Sequence, residues 1–152
     1  DAVKAVGMRV LDRLAEPIKR PREEFANYYD PYCFMRAMRY PPVGPKKVWG
    51  VPEHTDRSWI TILGVDGVPG LQYKDDLQRW IDVPPVQGTV ICMTGDAMRI
   101  LSDNLYQSRP HRAQNHSSEV RVTYPCFFEP HAEWPVYSAS KNGGVQYSVT
   151  II

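Results

Sequence analysis

The sequence predicts a mainly β domain, of the sandwich, barrel or jelly-roll kind, preceded by a short helical segment. The chain of 152 residues contains 14 prolines, and so much proline disfavours a helical bundle because proline interrupts helices. From residue 33 onward, short runs of β-branched and aromatic residues recur between Gly, Pro, Asp and Asn, which is typical of strands joined by turns. We therefore divide the chain into a helical lead-in, 1–32, and a β domain, 33–152.

The lead-in contains one convincing helix. Five apolar residues from Val3 to Leu14 recur at helical spacing and form one stripe. Asp1 is placed to cap this helix and Pro17 to end it. The segment 17–31 is polar and bounded by prolines, which predicts a loop with a single helical turn.

The β domain is predicted to contain one further helix and a series of short strands. The helix spans 96–101, after the turn at Gly95 and Asp96, and a last strand-like run closes the sequence at 147–152. The other predicted strands are 33–40, 58–63, 70–74, 79–83, 89–93, 106–113 and 120–128.

The composition of the chain limits which classes of binding partner and which cellular compartment we expect. The net charge of +1 gives no reason to expect nucleic acid or an anionic membrane as a partner. The longest apolar run falls far short of the ~18 residues that a bilayer span requires. Three widely spaced cysteines without a CxxC pair argue against a disulfide framework or a zinc ribbon. With no signal-peptide pattern at the first residues, we expect a cytoplasmic protein.

Histidine carries the most informative pattern. His54 lies two residues before Asp56, so on extended backbone both side chains point to the same side. His111 lies in a later strand-like run. Two imidazoles and one carboxylate make the facial triad that holds non-haem Fe(II) and leaves coordination positions open. The HxD pair alone is a weak signal, and two exposed polar residues in a loop are the simpler interpretation of it.

The strand predicted over 120–128 carries an arginine on an otherwise apolar element. Alternation places Arg121 and Thr123 on one side together with Phe127 and Glu129. A guanidinium fork and a hydroxyl suit a carboxylate, and a buried arginine is costly unless an anion pairs with it. Either an internal acid or a bound carboxylate ligand is therefore expected at Arg121. The opposite side of the strand reads as core: Val122, Tyr124, Cys126 and Phe128.

Five ordered segments resemble those of the iron(II)- and 2-oxoglutarate-dependent dioxygenases, in their isopenicillin-N-synthase-like or plant-type branch. HTDRSWITIL (54–63) is similar to the family segment HTDxSxLTxL, and RVTYPCFFEP (121–130) to its RxS strand and FxxP ending. The resemblance covers residues 33–131. The other three segments are MRAMRYPP (35–42), VPGLQYKDDLQRWIDVPPVQGTVICMTGD (68–96) and ILSDNLYQSRPHR (100–112).

The resemblance implies a double-stranded β-helix, or jelly-roll, core and a cosubstrate site beside the iron. It implies that Arg121 and Thr123 hold the distal carboxylate of 2-oxoglutarate, with threonine in place of the usual serine, and that Tyr40 also reaches the cosubstrate. Met38 stands where the family often has asparagine, which removes one expected hydrogen bond to the cosubstrate. The implied iron ligands are His54, Asp56 and His111.

The implied activity is hydroxylation or desaturation of a small organic substrate, using Fe(II), 2-oxoglutarate and O2 and releasing succinate and CO2. No catalytic residue beyond the metal and cosubstrate ligands is implied. Phe127 and Glu129 match positions that touch the aromatic substrate in flavonoid-oxidising members. Family members usually run considerably longer at both ends. The alternatives are therefore a catalytically silent cupin-like metal-binding or structural domain, or an inactive fragment of such an oxygenase.

Overall fold

The computed structural model describes residues 2–18, 31–43, 50–131 and 136. The N-terminal helix α1 spans Ala2–Ala15 and is followed by a 3₁₀ turn, Glu16–Ile18. A second helix, α2, spans Asp96–Leu101. Nine strands lie within the described residues: β1 (Tyr32–Met35), β2 (Met38–Tyr40), β3 (Val51–His54), β4 (Ile60–Val65), β5 (Leu71–Lys74), β6 (Trp80–Val83), β7 (Ile91–Thr94), β8 (His111–Ala113) and β9 (Arg121–Glu129).

The strands form two antiparallel sheets, which confirms the predicted mainly β, jelly-roll core. The larger sheet has the order β1–β9–β4–β7, with β2 also paired to β9, and the smaller sheet has the order β3–β8–β5–β6. Side chains from both sheets line one cavity between them. The strand predicted over 147–152 and most of the loop predicted over 17–31 lie outside the described residues. Within the described ranges, no helix has the length and apolar character needed to cross a membrane.

Strands β1 and β2 continue one another along β9. Phe34 lies opposite Phe127, and Tyr40 lies opposite Arg121, in the same register. Between the two strands, the backbone N–H of Arg36 still donates to a β9 carbonyl at 3.0 Å. Because cross-strand neighbours share a face, alternate residues of β1 and β2 face the cavity beside the inward side chains of β9.

Helix α1 covers the outer face of the larger sheet and makes the hydrophobic core with it. Leu11 of the helix, Phe128 of β9 and Met98 of α2 are among the buried residues of this core. The prediction that the whole outer face of β9 is core is wrong at its first half, because the core cluster reaches only its second half. In the second half of β9, Cys126 and Phe128 are buried. In the first half, Tyr124 is 46% exposed.

Strand β3 was not predicted, and proline is the reason. Pro52 removes one donor from the ladder, and the register between β3 and β8 shifts by one residue between Val51 and His54. A bulge of this kind bends a strand and re-aims its side chains. The predicted strand 106–113 is shorter than expected, since only His111–Ala113 pairs.

We predict that Gly7→Ala destabilises the protein, although alanine normally favours a helix over glycine by about 1 kcal/mol. A Cβ at Gly7 would lie 2.0 Å from the buried ring of Phe128, and overpacking of this kind costs about 1–3 kcal/mol. Urea unfolding should therefore show a lower free energy of unfolding for the variant. Gly64→Ala is the control because its Cβ would meet Tyr124 at an ordinary 3.6 Å. Equal stability of Gly7→Ala and the parent chain would contradict the described packing of α1.

Candidate metal centre

Two histidines face each other across the smaller sheet. His54 ends β3 and is the direct cross-strand partner of His111, the first residue of β8. Their ring centroids are 4.3 Å apart. On its other side, β8 pairs with β5, which places Tyr73 opposite His111. The bulge in β3 sets this register, so the strand pairing itself brings the two imidazoles together.

Asp56 completes the cluster from the turn that follows β3. Its Oδ1 atom lies 3.5 Å from Nε2 of His54 and 3.6 Å from Nε2 of His111. One ligand atom from each of the three residues lies within 4.8 Å of the others. Asp56 and His111 are buried, whereas the side chain of His54 is 39% exposed. The structure therefore brings together the three residues that the sequence nominates as metal ligands.

Hydrogen bonds at Nδ1 of His54 and His111 orient both imidazoles so that Nε2 faces the cluster. The Nδ1 atoms of His54 and His111 lie 2.8 Å and 3.1 Å from the backbone carbonyls of Pro52 and Arg109. Because a carbonyl only accepts, each Nδ1 carries a proton, so in the neutral imidazole each Nε2 has the lone pair that can bind a metal. Such outer contacts fix the orientation of metal-binding histidines.

The carboxylate of Asp56 is held from the larger sheet. Thr61 of β4 donates its hydroxyl to Oδ2 of Asp56 at 2.6 Å and lies 3.1 Å from the hydroxyl of Ser58. Oδ1, which faces both histidines, is left for a metal. Thr61 was missed by the sequence analysis, although its place between Ile60 and Ile62 in a predicted strand turns it toward the interior.

Helix α2 supports the turn that carries Asp56. The backbone N–H of Asp96 donates to the carbonyl of Asp56 at 2.8 Å, and Thr55 donates its hydroxyl to the Asp96 carboxylate at 2.9 Å. Gly95 permits this approach, because a Cβ there would lie 2.1 Å from the carbonyl of Ser58. The turn is thereby fixed by backbone as well as by side chains.

The ionisation of the three groups suits a divalent cation. The hydrogen bond that Asp56 accepts from protonated His54 raises the pKa of His54, whereas burial lowers the pKa of His111. Burial alone would raise the pKa of Asp56, but hydrogen bonds from His54 and Thr61 and the charge of His111 lower it. The cluster therefore contains an ionised carboxylate beside imidazoles that can present neutral nitrogen.

A buried arginine faces the same cavity. Arg121 is only 1% exposed, its Nε donates to the carbonyl of Val68 at 3.1 Å, and its guanidinium lies 4.7 Å from the ring centre of Tyr40. Its Nη1 atom has no hydrogen-bond partner among the described residues. Of the two expected partners for Arg121, this favours a bound carboxylate over an internal acid. Thr123, also 1% exposed, is the next inward residue of β9.

The cavity contains most of the predicted site residues. Phe127 lines its wall, and Glu129 lies one alternation further along β9. Burial, followed by the charge of Asp56, raises the pKa of Glu129, while Arg57 and Arg36 oppose this shift. The apolar part of the wall escaped the sequence analysis, because apolar residues in strands read as ordinary core. The lining includes Met38, Tyr40, Val51, His54, Asp56, Thr61, Leu63, Leu71, Met93, His111, Ala113, Arg121, Thr123, Pro125 and Phe127.

The donor set fits Fe(II), and the arginine fits a carboxylate cosubstrate. Two imidazole nitrogens and one carboxylate oxygen on one side of a cavity are the facial triad that binds non-haem iron with positions left open. Among the described residues, Nη1 of buried Arg121 has no hydrogen-bond partner, and a buried guanidinium is stabilised by an anion. Fold and site together define a jelly-roll protein with a two-histidine, one-carboxylate centre beside an anion-binding arginine.

The chain belongs to the 2OG-Fe(II) oxygenase superfamily, whose family model matches residues 25–130. It is 33% identical over 149 residues to a probable iron/ascorbate oxidoreductase of Dictyostelium discoideum, covering 86% of this chain and 41% of that protein. It is also 33% identical over 145 residues to a 1-aminocyclopropane-1-carboxylate oxidase homolog of Solanum lycopersicum, covering 94% of this chain and 39% of the relative. These relatives confirm the resemblance to the plant-type branch.

Solved structures support the same fold. The structure of JOX2 in complex with 2OG, Fe and JA superposes with a TM-score of 0.79 at 28% identity, covering 88% of this chain and 41% of that one. The chain thus spans about two fifths of the length of the relatives it matches.

We predict that Thr61→Val weakens metal binding by about 10–100-fold, the usual effect of removing an outer partner of a metal ligand. Valine keeps the shape but removes the hydroxyl that holds Oδ2 of Asp56. Isothermal titration with Mn(II) under nitrogen measures the effect. His111→Ala should abolish stoichiometric binding in the same assay.

The matched control for this prediction is Thr89→Val, which removes a hydroxyl bonded to the carbonyl of Val86 in an exposed turn. This variant should bind Mn(II) as the parent chain does. Stoichiometric metal retained by His111→Ala would show that the triad is not the metal site.

Proposed function

We propose that the protein is an Fe(II)- and 2-oxoglutarate-dependent oxygenase that hydroxylates or desaturates a small organic substrate, with release of succinate and CO2. The observation that carries this proposal is Nη1 of buried Arg121, which has no hydrogen-bond partner among the described residues and lies in the cavity that also holds the triad. A metal site alone does not explain an arginine kept without an anion. A cosubstrate with a 2-oxo acid at one end and a carboxylate at the other explains both features.

In this proposal, His54, Asp56 and His111 hold the iron. The bound iron supplies oxidation chemistry with O2 and 2-oxoglutarate. The chain's own contribution is orientation: the carbonyls of Pro52 and Arg109 and the hydroxyl of Thr61 fix the ligand atoms. The two sheets and the apolar wall limit the access of water to the reacting atoms.

Arg121, Thr123 and Tyr40 are proposed to hold the cosubstrate. The guanidinium of Arg121 donates to the distal carboxylate, and the Thr123 hydroxyl adds one bond from the same side of β9. The ring of Tyr40 lies against the guanidinium and keeps it in place. Met38, which stands where the family often has asparagine, accepts a weak bond from the Tyr40 hydroxyl at 3.7 Å.

Phe127 and Glu129 are proposed to contact the substrate. Phe127 stacks on Phe34 of β1, with ring centroids 5.0 Å apart and planes 26° from parallel. This stack continues the cavity wall from the triad toward the exposed edge of the sheet. A flat aromatic face beside the metal favours an organic substrate with an unsaturated ring.

We propose a cytoplasmic location and action on small molecules rather than on nucleic acid or membranes. The balanced charge of the chain and its three cysteines at 33, 92 and 126, none of which lies in a disulfide, support this. We also propose that 33–152 is the catalytic core and 1–32 its helical lead-in. Of this core, residues 44–49, 132–135 and 137–152 lie outside the described residues.

The test is an anaerobic titration with Fe(II) and then with 2-oxoglutarate, recorded by visible absorption. A weak charge-transfer band that appears only when both are present supports the proposal, and His111→Ala should show none. Iron bound without a band would favour the catalytically silent metal-binding module or an inactive fragment. Absence of both iron and band would favour a structural domain.

We predict that Arg121→Ala weakens the binding of 2-oxoglutarate by about 100-fold, because a hydrogen bond to a charged group contributes ~1.5–3 kcal/mol. The affinity for Fe(II) should stay within about threefold of that of the parent chain. The band titration measures the cosubstrate and calorimetry the metal. Arg79→Ala, which removes a 66% exposed arginine side chain, is the control and should change neither constant. Equal loss of iron and 2-oxoglutarate in Arg121→Ala would make Arg121 a structural residue.

A further inference from the structure

We infer that Asp66, in the loop between β4 and β5, is a positioning residue that sets Arg121 for the distal carboxylate of 2-oxoglutarate. This inference rests on the proposed function and goes beyond it. Asp66 is exposed and touches neither the triad nor the cavity wall. Its role follows from a chain of hydrogen bonds that ends at the Arg121 guanidinium.

The carboxylate of Asp66 joins the loop to the strand that carries Arg121. Its Oδ1 accepts the backbone N–H of Val68 at 3.0 Å, and its Oδ2 accepts the backbone N–H of Val122. The backbone N–H of Asp66 also donates to the carbonyl of Val122 at 3.3 Å. One side chain thus ties the loop to the residue next to Arg121.

The tied loop residue is the one that holds Arg121. Having donated its N–H to Asp66, Val68 accepts the Nε–H of Arg121 through its own carbonyl at 3.1 Å. A bond at Nε fixes the rotation of the guanidinium plane, and Tyr40 lies against that plane. Nη1 is then left without a partner among the described residues.

The partner at Nε is neutral, and this matters for an anion site. A carboxylate there would compensate the charge of Arg121 and compete with a bound carboxylate. Within the described ranges, no acidic side chain lies within salt-bridge distance of Arg121, and the negative charge of Asp66 is directed at two backbone amides. The loop therefore orients the guanidinium without neutralising it.

The far end of the loop is fixed independently. Gln114 donates its backbone N–H to the carbonyl of Gly70 at 2.9 Å. Gly70 has a positive φ of 148°, and a Cβ there would lie 2.0 Å from the carbonyl of Gln114. Gly70 therefore anchors the loop after Val68, and Asp66 anchors it before Val68. Removal of the Asp66 carboxylate should release the Val68 carbonyl while the strands of the sheet stay paired.

The test compares Asp66→Ala with the parent chain for two ligands, 2-oxoglutarate and 2-oxobutyrate, which has no distal carboxylate. Anaerobic titration of the Fe(II)-loaded proteins gives both dissociation constants from the charge-transfer band. We expect Asp66→Ala to weaken the binding of 2-oxoglutarate by about tenfold, because one charge-assisted hydrogen bond to its distal carboxylate is then poorly oriented. The affinities for 2-oxobutyrate and Mn(II) should not change. Asp66→Asn, which keeps one acceptor oxygen, should recover part of the loss.

Two controls separate positioning from general damage. Asp82→Ala removes another exposed carboxylate, one bonded to Gln72 on the smaller sheet, and should change no affinity. In an Arg121→Ala background, Asp66→Ala should have no further effect on 2-oxoglutarate, because the group it positions is absent.

The outcomes are distinct. If the parent chain does not bind 2-oxoglutarate, the proposed function itself fails. If the parent chain binds it and Asp66→Ala binds it equally well, Asp66 is not a positioning residue. Equal weakening of 2-oxoglutarate, 2-oxobutyrate and Mn(II), with a lower melting temperature, would make Asp66 a structural residue only, which overturns the inference.

Discussion

The antiparallel pairing of β9 with a neighbour on each side is the constraint on which the rest of the structure depends. β9 pairs with β4 along one edge and with β1 and β2 along the other. Because side chains alternate, this register turns Arg121 and Thr123 into the cavity and Cys126 and Phe128 toward α1. A slip of one residue would exchange the two faces. Core packing against α1 therefore also protects the geometry of the site.

The metal centre depends on both sheets. The smaller sheet contributes the histidines through the pairing of β3 with β8, whereas the larger sheet contributes Thr61, which holds Asp56. Neither sheet alone presents three oriented ligand atoms. The N-terminus of α2 joins the two contributions, because it binds the backbone of the turn between β3 and β4. The three ligand atoms are therefore oriented by contacts from both sheets.

Local sequence patterns predicted the features that depend on alternation and residue spacing. They failed for features that depend on contacts between residues far apart in the sequence. The inward placement of Arg121 follows from its strand, and α2 follows from a turn and an apolar run. Strand β3 was not predicted because Pro52 and a bulge interrupt the regular alternation that identifies a strand. Tyr124 alternates with core residues but is exposed, since the core cluster ends short of it. Asp66 looks like any turn aspartate, because its partner Val122 lies 56 residues away.

Two charged groups, Asp56 and Arg121, line the same cavity. Near the triad, Asp56 carries a negative charge that the imidazoles of His54 and His111 and the hydroxyl of Thr61 offset among the described residues. Near β9, Arg121 carries a positive charge with a donor left open. A dicarboxylate without a metal would bring negative charge toward Asp56, and a metal without the dicarboxylate would leave Arg121 unpaired. Each ligand therefore makes the site more favourable for the other, and the cation and the anion complete it together.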